Sequence, residues 1–216
     1  MLPNAKEQQE INELAHQFER ATGAQVVVAI VGKADDYPDI PWRAFALGTG
    51  LAAVAVVLDE FVRPGWESLH TPARDVAVIL AAGVMAALLA ALVPRVARLL
   101  LNRERAAGAV RRYAQGLFLQ REVFRTAERA GILILVCRFE RKVFILPDTG
   151  ITQHLARGEL SPVIAAMTPH LAQWQPVAAF AAGLDAMAAL LARKNIRPQA
   201  HGNELQDGAV LEEGAS

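Results

Sequence analysis

Two long stretches without a charged side chain decide what this chain can fold into. Ala44 to Leu58 is 15 residues and Val76 to Pro94 is 19, and neither contains Asp, Glu, Lys or Arg. As a helix rising ~1.5 Å per residue the second reaches about 28 Å, close to the ~30 Å of a hydrocarbon core. The first gains span length when extended from Ile40 through Val62, with Arg43 snorkelling at one end and Asp59 and Glu60 in the opposite headgroups. Trp42 and Trp66 then mark the two interfaces. Both stretches are apolar on every face rather than along one stripe, which favours a membrane hairpin over a helical pair buried in a soluble protein. Hydrophobic residues make up 53% of the chain and charged ones only 20%, and this hairpin is where the excess sits.

The flanks orient the hairpin. Lys33 and Arg43 precede it and Arg95, Arg98, Arg103, Arg105, Arg111 and Arg112 follow it, eight cations against Arg63 and Arg74 in the loop between. Basic flanks stay in the cytoplasm. Met1 to Glu7 is polar and has no secretory signal pattern. The expectation is a multi-pass protein of the plasma (bacterial inner) membrane with both termini cytoplasmic, membrane lipid as one partner and other membrane proteins as further ones. Twenty-two basic residues balance 22 acidic ones, so there is no cationic surplus for a nucleic-acid binder.

Because two spans return the chain to its starting side, the segments around the hairpin can fold together. Asn4 caps a helix to about Thr22, with Ile11, Leu14, Ala15 and Phe18 on one face and Gly23 as its left-handed stop. Ala24 to Val31 is a continuous β-branched run suited to a strand covered on both faces. After the hairpin, Asn102 to about Ala130 reads as one long amphipathic helix. Ile132 to Val136 and Lys142 to Leu146 form a β-hairpin around Phe139 to Arg141. Leu160 to Met167 is a shorter helix, and Pro176 starts a helix placing Val177, Phe180, Leu184, Met187 and Leu191 on one face as an amphipathic cover. The organisation is 1–39 as the first part of an α/β domain, 40–95 as the hairpin (spans about 41–62 and 76–94), 96–194 as the second part and 195–216 as a polar, disordered tail.

The order of a helix, Thr22-Gly23-Ala24-Gln25-Val26-Val27-Val28, a further helix, Gly131-Ile132-Leu133-Ile134-Leu135-Val136, and Glu140-Arg141-Lys142-Val143 running to Gly150 resembles the TPM domain family. That family includes thylakoid lumen and Psb32-type proteins and bacterial membrane proteins. The resemblance covers about residues 4 to 194 apart from 41 to 94. It implies a three-layer α/β/α domain with a small mixed sheet, here interrupted by the two-helix transmembrane hairpin. It also implies roles for Gly131, Arg141 and Gly150 as turn and packing residues, and a phosphatase activity held by a divalent cation. The family's acidic group before the second strand is replaced here by Arg129-Ala130.

The residues themselves offer little chemistry. No Gly-rich phosphate loop, Cys-x5-Arg loop or Asp-x-Asp pair is present. Asp35, Asp36, Asp148 and Glu140 are the acidic candidates, and Asp35 and Asp36 converging with Asp148 at strand ends would suit Ca²⁺ or Mg²⁺. The histidines at 16, 70, 154, 170 and 201 are scattered singly, and Thr71, Ser161 and Thr168 have no base at a fixed spacing. Cys137, the one cysteine, sits in an apolar run as a small hydrophobe. No cofactor and no small-molecule substrate are indicated. The expected function is an interaction module near the bilayer, in membrane-protein assembly or quality control, with a divalent-cation-dependent phosphatase as the alternative.

Overall fold

A computed structural model describes residues 3–62, 71–198 and 210–214. It divides into two compact units, one made of residues 1–35 with 107–216 and one of residues 36–106.

The first unit is built on a four-stranded mixed sheet. α1 (Ala5–Thr22) begins with a capping box, in which Asn4 Oδ1 accepts from the Glu7 N–H at 2.9 Å and Glu7 Oε2 accepts from the Asn4 N–H at 2.8 Å. It ends on Gly23 at φ 77. β1 (Gln25–Lys33) then runs parallel to β2 (Gly131–Cys137) in the register Gln25↔Gly131 to Val31↔Cys137. β3 (Lys142–Pro147) returns antiparallel to β2, and β4 (Val210–Gly214) lies parallel to β1 on its other side, giving the order β3-β2-β1-β4.

Alternating side chains of the two central strands feed two cores. Val26, Val28, Ile30, Ile132, Ile134 and Val136 pack with Ile11 and Phe18 of α1, Val163 and Met167 of α7 (Ser161–Ala172), and Phe180, Leu184 and Met187 of α8 (Pro176–Arg193). Val27, Ala29, Val31, Leu133, Leu135 and Cys137 pack on the opposite face with Val110, Ala114 and Leu117 of α5 (Arg103–Gln120). The result is the three-layer α/β/α arrangement. The whole hairpin is an insertion into the crossover between parallel strands β1 and β2.

Three expectations are corrected. The helix after the hairpin is not continuous to Ala130: Asn102 Oδ1 caps α5 by accepting from the N–H groups of Glu104 and Arg105, but α5 stops at Gln120. Glu122 then turns left-handed at φ 51 into a short 3₁₀ turn, Val123–Arg125, and Thr126 Oγ1 takes the Ala130 N–H at 2.9 Å to launch β2. The tail is not wholly outside the fold, because residues 210–214 form β4; residues 199–209 lie outside the described residues. The second apolar helix ends at Leu92 rather than Pro94, since the residue before a proline avoids helical angles and Val93 is extended at φ −111, ψ 101.

The second unit contains α2 (Asp39–Val62), α3 (Thr71–Leu92) and α4 (Pro94–Leu99). α2 and α3 pack antiparallel at glycine contacts. A Cβ on Gly48 would lie 2.7 Å from Ala86 Cβ and 2.9 Å from the Ala82 carbonyl, and one on Gly83 would lie 2.8 Å from Phe45 Cε2. Asp39 in the first turn of α2 holds both Arg43 (3.1 Å) and Arg105 (2.6 Å). Trp42 is 74% exposed, while Trp66 falls outside the described residues.

By length and composition α2, α3 and α8 are each able to cross a membrane. They differ in what covers them. None of the apolar window of α2 and 11% of that of α3 is buried, against 44% for α8, whose inner face is in the sheet's core.

Candidate functional site

Residues with the potential for chemistry collect at two opposite ends of the sheet. At the end where β1 and β2 begin, β3 finishes at Pro147, opposite Ile132. The Asp148 N–H donates to the Gly131 carbonyl at 2.8 Å, and its carboxylate accepts from the Thr149 N–H at 2.7 Å as the cap of α6 (Thr149–Thr152). That carboxylate is only 3% exposed and is gripped by Arg129, Nε lying 2.8 Å from Oδ2 and Nη2 3.1 Å from Oδ1. The two-pronged geometry is the one a guanidinium offers a carboxylate. The Arg129 guanidinium also lies over the Phe124 ring at 5.8 Å.

Two glycines make this corner possible. A Cβ on Gly131 would collide with the Val123 carbonyl, and one on Gly150 would collide with the Glu128 carbonyl and sit 2.7 Å from that of Arg129. The Gly150 N–H donates to the Arg129 carbonyl at 3.0 Å, so the close approach fixes the backbone that presents Arg129 to Asp148.

At the other end, Asp35 and the adjoining Asp36 follow β1. Arg112 of α5 stands 3.9 Å from the Asp35 carboxylate. Glu140, 7% exposed in the β2–β3 turn, accepts from the Ala34 N–H at 2.9 Å and so ties that turn to the exit of β1. Arg141 occupies the same turn at φ 51, and Arg138 lies over the Trp174 ring at 4.7 Å. Burial, reinforced by the Glu140 carboxylate, pushes the Cys137 thiol well above its ordinary pKa, which keeps it a neutral hydrophobe.

The convergence of Asp35 and Asp36 with Asp148 is therefore corrected. β3 runs antiparallel to β2, so its last residue comes back to the start of the sheet while Asp35 leaves the finish of β1. Seven paired residues at ~3.3 Å each put roughly 20 Å between those ends. Among the described residues no three His, Cys, Asp or Glu side chains form a group that would hold a metal ion. His16 pairs with Glu19 at 3.3 Å, His154 neighbours Gln153 on the surface, and His170 ends α7. Thr168 is turned back onto the Ile164 carbonyl and Ser161 is exposed at the start of α7. His70, His201 and the Thr71 side chain lie outside the described residues.

Sequence reasoning singled out Asp148 but missed its partner. The signal was the basic residue standing where the resembling family carries an acid, at Arg129. Glu140 was seen as an acid of unknown use, and no local pattern marks its contact with a backbone amide 106 residues away.

Residues 92–190 match the family model described as TPM domain. That stretch of the chain is similar to TPM domains. Its structure is similar to the NMR structure of the BA42 protein from the psychrophilic bacterium Bizionia argentinensis, at a TM-score of 0.54 and 13% identity, covering 96% of this chain and 94% of that one. At that identity the likeness speaks for the fold. No curated protein matches the chain. Within the matched residues 92–190 lie all of Arg129, Gly131, Glu140, Arg141, Asp148 and Gly150.

Proposed function

We propose that this chain is a membrane-anchored interaction module, in which the α2–α3 hairpin crosses a bilayer twice and holds the TPM domain at the cytoplasmic surface of a bacterial inner membrane. There it meets other membrane proteins during their assembly or quality control. The observation that carries the reading is the outer surface of the hairpin: Leu51, Val57 and Phe61 of α2 and Val76, Leu80 and Leu88 of α3 are all more than half exposed. An apolar surface of that extent needs a cover, and lipid covers every face of it at once. The basic residues at the foot of the hairpin, Arg43, Arg95, Arg98 and Arg105, suit anionic headgroups on the cytoplasmic side. Anchoring confines the domain to the layer where its partners lie, raising their effective concentration without any chemistry.

The Arg129–Asp148 pair supports interaction over phosphoryl transfer. The resemblance places a cation-holding acid next to this position, whereas here the chain supplies its own guanidinium to the Asp148 carboxylate. Cross-linking in native membranes tests the reading, with recovery of a reproducible set of membrane proteins as the expected result. Divalent-cation-dependent turnover of a phosphomonoester by detergent-purified chain, lost in either Asp148→Asn or Asp35→Asn, would overturn it in favour of an enzyme.

A further inference from the structure

The side of β1 away from β2 is occupied by a short strand from the acidic C-terminal segment, residues 210–214. β4 pairs with β1 as Ala29↔Val210, Ile30↔Leu211, Val31↔Glu212 and Lys33↔Gly214. Each position is specified differently. Val210 is 4% exposed and joins the core beneath α5. Glu212 accepts from the Tyr113 hydroxyl at 2.5 Å and faces the Arg121 guanidinium at 3.8 Å, so one residue of α5 and one just beyond it read a carboxylate. Arg121 Nε is buried and has no hydrogen-bond partner among the described residues, which adds to the demand for an acceptor there. Gly214 is at φ 92 against the Lys33 carbonyl, where any Cβ would collide. The site therefore selects apolar residues at 210 and 211, an acidic one at 212 and glycine at 214.

The resident strand is also the sheet's least secured element. It is five residues long and, among the described residues, is bonded on one side only, whereas β2 pairs with β1 over seven positions and with β3 over six. The beginning of β1 is closed separately: alternation turns the Val26 N–H to this same side, and Glu19 Oε1 accepts it at 2.9 Å. Without a strand at Ala29–Lys33, a continuous apolar strand would present bare backbone groups, the condition under which another chain adds itself.

We propose that the β1 edge is the domain's peptide-binding site, that Val210–Gly214 is its intramolecular ligand, and that the partner is a separate protein presenting an extended segment of the same pattern, with a glutamate for Tyr113 and Arg121. This deepens the interaction reading above, since it names the surface, but it stands on the sheet alone and its test needs neither a membrane nor an identified partner.

The test uses the full chain in detergent and a fluorescent peptide of residues 208–216. Unseating the resident strand with Glu212→Lys plus Gly214→Val removes the intramolecular competitor, so the peptide should bind the variant on the order of tenfold or more tighter than the wild-type chain. The same peptide carrying Lys for Glu212 should lose that gain. Equal binding to both chains, no binding to either, or indifference to the peptide's charge would overturn the proposal. Gly214→Val alone is the second variant; loss of the far-ultraviolet circular dichroism of both variants would make β4 integral to the fold and equally overturn it. A wild-type dimer that excludes the peptide would assign the edge to a second copy instead. Failure of this binding would leave the cross-linking result untouched, so the two readings fail separately.

Discussion

Arg129 and Asp148 form a two-pronged ion pair, 2.8 and 3.1 Å, at the corner where β2 starts and β3 ends. The carboxylate is almost fully covered while the guanidinium is half exposed, so the two partners have unequal costs when the other is removed.

Arg129→Ala leaves a covered carboxylate with only backbone donors. It should destabilise the chain by about 1–3 kcal/mol, less than for a fully buried pair because water reaches the vacated side. Asp148→Asn keeps a capping side chain and loses the charge, so it should cost less than Asp148→Ala, which loses both. Urea unfolding in detergent of the four chains checks the order, and a double-mutant cycle checks the coupling.

Glycine substitutions should separate sharply. Gly131→Ala drives a methyl into the Val123 carbonyl and should cost more than about 2 kcal/mol, with repacking of the 3₁₀ turn. A Cβ on Gly116, in α5, meets nothing within 4 Å, so Gly116→Ala should be neutral or stabilise by up to about 1 kcal/mol through helix propensity. Thermal unfolding of the pair tests the packing directly.

Much of the fold was legible because its information is local. The Asn4 and Glu7 box, the Gly23 stop and the apolar runs of β1, β2 and β3 are each written within a few neighbouring residues, and the hairpin's charge-free stretches are written in composition. What escaped is non-local. Val210 to Gly214 holds two apolar residues in an acidic tail and becomes a strand only by meeting β1 about 180 residues earlier. The end of α5 escaped because apolar spacing persists through Val123, Phe124 and Ala127, so periodicity alone could not see the left-handed turn at Glu122. Asp35, Asp36 and Asp148 read as one cluster only while the direction of β3 was ignored.

Cys137 should behave as part of the core. In the folded chain its thiol pKa is raised, first by burial and then by Glu140, so folding favours the neutral form. The stability this contributes is fully present below the thiol's unfolded value of roughly 8.5–9 and is lost as pH rises beyond it. A permeant thiol reagent at pH 8 should label the chain only after denaturation; prompt labelling of the native chain would contradict the burial.

The two units should be separable at their covalent joints. Replacing residues 40–95 by a short Gly/Ser connection leaves β1, β2 and β3 and both of their cores in place, so a soluble, cooperatively folding α/β domain is expected. Size-exclusion chromatography and circular dichroism report the outcome, and an aggregated product would make the hairpin part of the domain's core.

The central claim, a hairpin that crosses the bilayer with both ends of the chain inside, is tested most directly by where single cysteines react in intact cells. Ser68→Cys falls between the apolar helices in the sequence and Asn203→Cys in the C-terminal segment, each placed in a Cys137→Ala background. On the reading proposed above, eight basic residues flanking the hairpin against Arg63 and Arg74 between the two charge-free stretches predict this orientation. A membrane-impermeant thiol reagent should label the cysteine at 68 in intact cells and the one at 203 only after lysis. Protection of both would mean the loop does not cross, and labelling at 203 with protection at 68 would mean the orientation is inverted; labelling of both would require a third crossing through α8, which would split the sheet's core and contradict the account.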